Sequence, residues 1–296
     1  MGIVLRRNII LGLIAGLVMT VGLSGCGLSV PQKAALDHFA SATHDFSTIA
    51  QTEFQKSRQD VIEMNRYRFE LGDPRVKPTE LDQLLTRDRA ETRVRALQAL
   101  EDYAVLLRKL VGVVPEGELL EASNSFVTNL RTIKGLSFSD QQAEGIGKAV
   151  AAVGGLYVEH KRARAIREVV DTANEPIVTV IDLVKRDFDP AAMGWNAGYK
   201  LMASELDGRA TKVGASVQTD DLTAKQSILR AQALAAENTA RFDLVSVEIV
   251  RLASAVDDAQ KNLRLVLNPS SLNTEGIDQL ANKVREFKSI YSMLRN

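Results

Sequence analysis

The chain has a single cysteine, which excludes an internal disulfide and a thiolate metal site. It has no excess charge of either sign: 37 Lys and Arg stand against 37 Asp and Glu. A nucleic-acid binder needs a basic face and a high isoelectric point, so that class falls away. Its longest apolar run, from Ile9 to Leu23, covers about fifteen residues, short of the roughly 20 needed to span a bilayer. There are three histidines, seven prolines and one tryptophan. Alternating β-branched stretches bounded by hairpin dipeptides are also missing, which argues against strands. What is left, 45% apolar and 25% charged over 296 residues, is an ordinary globular balance.

The N-terminus carries the sharpest motif. Arg6 and Arg7 precede the apolar run, and small residues Ser24 and Gly25 close it; this is the layout of a secretory signal. Leu23-Ser24-Gly25-Cys26 resembles the lipobox of bacterial lipoproteins, and Cys26 is the chain's lone cysteine. The resemblance covers the signal and the modification site, with no family identified for the rest. It implies cleavage between Gly25 and Cys26, a diacylglyceryl group on the Cys26 thiol and a further acyl chain, such as palmitate, on its new amino group. Two or more acyl chains give stable anchoring without a membrane-spanning helix. Gly27 in place of an aspartate implies, by the same resemblance, the outer membrane facing the periplasm. Residues 1–25 are then a cleaved signal and 26–30 a short tether; its four residues past Cys26 reach about 14 Å at full extension. The mature chain holds 35 basic and 37 acidic residues.

From residue 31 to 296 the pattern is helical, and the expected fold class is all-α, an elongated antiparallel bundle of long amphipathic helices. The first helix spans about Pro31–Leu71, with Leu36, Phe39, Thr43, Phe46, Ala50, Phe54, Val61, Met64, Tyr67 and Leu71 on one face. A second is expected from a Thr79 cap, through Leu81, Leu84 and Leu85, to Gly112; a third covers Glu116–Ile133. Ser139 and Gln142 form a capping-box pattern that opens a fourth, read as continuous to Lys185 with Pro176 as a kink. Asp189-Pro190 suits the start of a fifth helix, ending near Gly214. Thr219 or Asp220 suits the cap of a sixth, whose face includes Leu222, Leu229, Ala233, Ala236, Ala240, Val245 and Ile249. A seventh follows Thr274 at close to heptad, coiled-coil spacing. A hinge near Gly135 is compatible with this pattern.

Chemistry-bearing constellations are sparse. His38 and His44 are six residues apart, so one helix face does not present both to a metal. Adjacent carboxylates such as Glu101-Asp102 and Asp257-Asp258 diverge by about 100° on a helix and cannot converge on one bond. No phosphate loop or nucleophile elbow is present. The expectation is a non-enzyme with no metal and no cofactor. His160 falls on the apolar side of the fourth helix, between Leu156 and Ala163. It reads either as a core-edge histidine satisfied by a neighbour or as a pH-sensitive packing site. Lys161, Arg162, Arg164 and Arg167 form the densest basic cluster; Arg93, Arg95, Arg108 and Lys109 form another. Gly147, Ala151 and Gly155 repeat every four residues, a spacing that lets helix backbones approach closely. Residues 144–158 therefore read either as a tight packing seam or as a membrane-active segment resembling that of helical pore-forming toxins.

The leading functional expectation is a lipid-anchored envelope protein that acts as a helical scaffold. Its partner would be another envelope protein or a second copy of itself. The alternative is a membrane-perturbing bundle that uses residues 144–158.

Overall fold

The computed structural model describes residues 27–133, 135–154, 158–217, 221–268 and 273–295. Cys26 and the motif residues Leu23, Ser24 and Gly25, together with Gly155, lie outside them. Among the described residues there are eight helices and no strands, an all-α bundle. They are α1 (Val30–Glu70), α2 (Arg87–Val111), α3 (Glu116–Thr132), α4 (Asp140–Ala151), α5 (Glu159–Phe188), α6 (Trp195–Gly214), α7 (Leu222–Val266) and α8 (Glu275–Arg295).

The two longest helices form the axis. α1 has 41 residues and α7 has 45, about 60 and 65 Å at 1.5 Å per residue. Cross-links fix their direction: Gln32 Nε2 donates to the Val266 carbonyl at 2.7 Å, and Arg241 binds Glu53, so they run antiparallel. α2 also runs against α1, with Arg108 beside Asp37 and Arg58 beside Asp82. α8 runs alongside α1 in the same direction, since His38 meets Asp278 and Asp45 meets Lys288. α5 and α6 stack end to end along the axis. α5 starts next to Lys33 of α1, and α6 passes Ser57 and ends near Leu71. Seven helices surround the end that holds Gly27, whereas the far end is built from α1, α6, α7 and the turns of residues 71–86. One contiguous cluster of buried apolar side chains runs through all of them.

Helix starts follow local chemistry. Ser29 and Gln32 close a capping box on α1, with Pro31 in the first turn; Ser139 and Gln142 do the same on α4. Asp221 caps α7 by accepting from Ala224 N. The expected caps Thr219 and Asp220 lie outside the described residues.

Several expectations are corrected. Thr79 does not start α2; residues 79–85 form turns. Arg58 holds Asp82, the Asn65 amide donates to the Leu81 carbonyl, and Asp82 accepts from Arg87 N at the true helix start. Leu84 there takes a left-handed φ of 62°, so the stripe through Leu81, Leu84 and Leu85 is not helical. The helix expected from Ser139 to Lys185 breaks after Ala151, where Gly154 turns the chain at φ 60°. Pro176 lies inside α5. Asp189 and Pro190 belong to a turn, and α6 starts only at Trp195. Gly194 is required before it, because a β-carbon there would sit 2.6 Å from the Arg186 carbonyl. On α7 the first half of the expected face is out of phase: Leu222, Leu229, Ala233, Ala236 and Ala240 are exposed, and Ile228, Ala231, Ala235 and Phe242 are buried. Alanines on every side of that stretch leave its apolar face undefined by periodicity.

Candidate functional site

Two polar assemblies were not apparent from spacing. In the first, Glu53 of α1 is wholly buried. Arg241 of α7 holds both its oxygens at 2.9 Å, and the Tyr291 hydroxyl of α8 donates to one of them at 3.1 Å. Arg241 also reaches Asp60, which accepts from Tyr199 of α6 and pairs with Lys56. Burial pushes the Glu53 pKa up, against the hydrogen bonds and charge of Arg241. Below this assembly Trp195 donates to Ser57 Oγ at 2.7 Å, and the Arg93 guanidinium stands 5.2 Å from the Trp195 ring while it pairs with Asp187. In the second assembly, buried Arg68 joins Asn65, Asp73 and Glu205. Burial opposes ionisation of Asp73, but hydrogen bonds from Arg75 and Arg68 outweigh it and hold the carboxyl well below its usual range. Each carboxylate oxygen of Glu53 is already engaged by a cation or hydroxyl. The first assembly ties α1, α6, α7 and α8 together, and the second ties α1 to α6.

The other features resolve in the same way. His38 pairs with Asp278, and His44 Nδ1 stands 3.3 Å from Glu101, near enough for charge pairing but not aligned as a hydrogen bond. Among the described residues no group of His, Cys, Asp and Glu has a metal-holding arrangement. Arg93, Arg95, Arg108 and Lys109 each face a carboxylate. Asp257 pairs with Lys185 and Lys261.

The region of residues 144–168 differs. His160 is exposed and not on the apolar side of its helix. The break at Gly154 resets the helical phase, so counting from Leu156 misplaced it; it shares a face with Arg164 and Glu168. Neither Gly147 nor Ala151 forms a packing seam. A β-carbon on Gly147 would meet nothing within 4 Å, and Ala151 is exposed. α4 and α5 instead flank an open cleft of about 640 Å³, with the less exposed Gly145, Ala149 and Ala165 as its small-residue floor and the exposed Lys148, Ala152, His160, Lys161 and Arg164 as its rim. Exposed Glu168 lines both this cleft and the groove that continues along α4 towards Ser139 and Thr172.

The basic cluster divides at this point. Arg162 points inward and donates to the carbonyls of Gly112 and Leu110, and Arg167 reaches the Leu267 carbonyl. Lys148 is paired with Glu144 at 2.6 Å. Glu159, a nominal partner for the cluster, is taken by Lys33 at 2.6 Å. Among the described residues Lys161 and Arg164 have no carboxylate at salt-bridge distance. Gly27, next in sequence to Cys26, abuts Glu159: a β-carbon on Gly27 would lie 3.1 Å from that of Glu159.

No described helix is long and apolar enough to cross a membrane. No family model matches the chain, and neither a curated protein nor a solved structure is similar to it.

Proposed function

We propose that the protein is a lipid-anchored, non-enzymatic scaffold of a bacterial envelope. It is held to the outer membrane by acylated Cys26, and it carries a partner protein or a second copy on the sides and tip of its helices. The observation that carries this reading is the Leu23-Ser24-Gly25-Cys26 motif joined, almost without a linker, to a long bundle. Gly27 and the buried Leu28 already belong to the packed base, so on this reading the bundle rises directly from the lipid and extends about 60 Å. Support for a partner comes from the far end, where Phe69, Leu201, Leu222 and Leu229 are exposed apolar side chains. Leu222 and Leu229 are seven residues apart and so share one face of α7, the kind of exposed apolar strip that suits a partner.

The test is affinity purification of the full-length protein from detergent-solubilised membranes after in-cell crosslinking, with light scattering on the purified chain. The reading expects a reproducible envelope protein or a defined oligomer, either one weakened by Leu222→Ser with Leu229→Ser. A monomer that crosslinks to lipid alone would contradict it.

A further inference from the structure

The base of the bundle carries a set of features that packing alone does not use. Gly27 touches Glu159, the first residue of α5, and Cys26 is one Cα–Cα step of about 3.8 Å further on. Lys161 and Arg164 follow within five residues of Glu159, about 8 Å along the helix. Both cations therefore lie in the first turns of α5, at the end of the helix that Gly27 touches. From the Gly27 end, α5 presents Glu159, which Lys33 neutralises, then His160, Lys161 and Arg164, with Glu168 farther along. The cleft between them has a floor of alanine and glycine rather than polar groups. An independent observation marks the same end. Val30, Val113 and Leu265 are 81%, 76% and 58% exposed. Val30 is three residues from Gly27; Val113 follows Gly112, which accepts from Arg162; Leu265 precedes Val266, which accepts from Gln32.

We propose that this base lies against the bilayer and that the α4–α5 cleft receives the phosphate-bearing headgroup of an anionic phospholipid. Lys161 and Arg164 bind the phosphate, the small-residue floor admits the glycerol and upper acyl carbons, and Val30, Val113 and Leu265 enter the interface. The inference rests on the anchored reading of Cys26 and deepens it: the lipid tether fixes which end faces the membrane, and the cleft fixes the orientation of the bundle on it. A basic residue near an anionic surface contributes roughly fivefold in affinity, so the pair is worth about 30-fold in the ratio of docked to undocked orientations.

The test uses the full-length lipidated protein in vesicles. With Cys26 occupied by lipid, Ala152→Cys supplies a unique thiol at the cleft rim for a spin label, and Leu229→Cys supplies one at the far end. The expected result is that the label at position 152 sits at headgroup depth in vesicles of 30% phosphatidylglycerol in phosphatidylcholine. It should be open to water in phosphatidylcholine alone, while the label at position 229 stays in water throughout. Lys161→Gln with Arg164→Gln, both exposed positions, should lower the docked ratio about 30-fold with an unchanged circular dichroism spectrum. A water-exposed label at 152 in both vesicle types, or one indifferent to the double substitution, would overturn the proposal. So would an equal response to dissolved glycerol 3-phosphate, which would make the cleft a site for a free phosphate ester. Mass spectrometry of the same preparation reports lipid on Cys26 separately, so failure of the anchor and failure of the cleft are told apart.

Discussion

At the scale of the residue, the interior is held by charges that sequence spacing could not pair. Glu53 and Arg241 are 188 positions apart, and nothing local to either indicates the other. Removing one partner of such a pair leaves the other buried and uncompensated. Arg241→Ala should therefore lower stability by about 3–5 kcal/mol, read as the shift in urea unfolding midpoint. Arg95→Ala, whose exposed pair with Glu91 is loose, should change the midpoint little. The depressed pKa of Asp73 gives a second expectation. A carboxylate held below its unfolded value contributes stability above the unfolded pKa, near 3.8, and loses it as pH falls towards the folded value. The gap in urea midpoint between the native protein and Asp73→Asn should be full at pH 6, smaller at pH 3, and still shrinking as the pH is lowered further. An equal gap at both values would show that the carboxylate's ionisation does not matter.

At the scale of the element, the long amphipathic faces were readable because a 3.6-residue period survives wherever large apolar residues mark it. Leu36, Phe39, Thr43, Phe46, Ala50, Phe54, Val61 and Met64 are buried as that period predicts, while Tyr67 and Leu71 at the end of the face are only partly buried. The reading failed where a local break resets the phase, at Gly154, and where alanine is too abundant to mark a side, at 231–240. It also failed where a side chain from another helix decides the start, as Arg58 does by holding Asp82. Glycines separate in the same way. Gly208 is a helical glycine with open space around it, so Gly208→Ala should stabilise the protein by about 0.5–1 kcal/mol. Gly194 is pressed against the Arg186 carbonyl, and Gly194→Ala should cost about 1–3 kcal/mol. Thermal midpoints of the two variants should move in opposite directions.

At the scale of the whole molecule, sequence supplied the parts of the site but not their assembly. The basic run at 161–167 was visible in the sequence. That Arg162 and Arg167 bind carbonyls while Lys161 and Arg164 face outward depends on where α5 meets α2 and α7. That the run lies beside Gly27 depends on α1 and α5 starting at the same end of the bundle, a long-range consequence of packing. The cleft itself arises from the break between α4 and α5, which periodicity read as one helix. The resulting account is a bundle rooted at its broad, seven-helix base and narrowing to a three-helix tip. All of it turns on Cys26. The most direct measurement is intact mass and N-terminal peptide analysis of the native protein from fractionated cells. The account predicts a chain that begins at Cys26, carries a diacylglyceryl group and a further acyl chain, sediments with membranes, and becomes unacylated when Cys26→Ala is introduced. A membrane-free chain with an unmodified Cys26 thiol would contradict it.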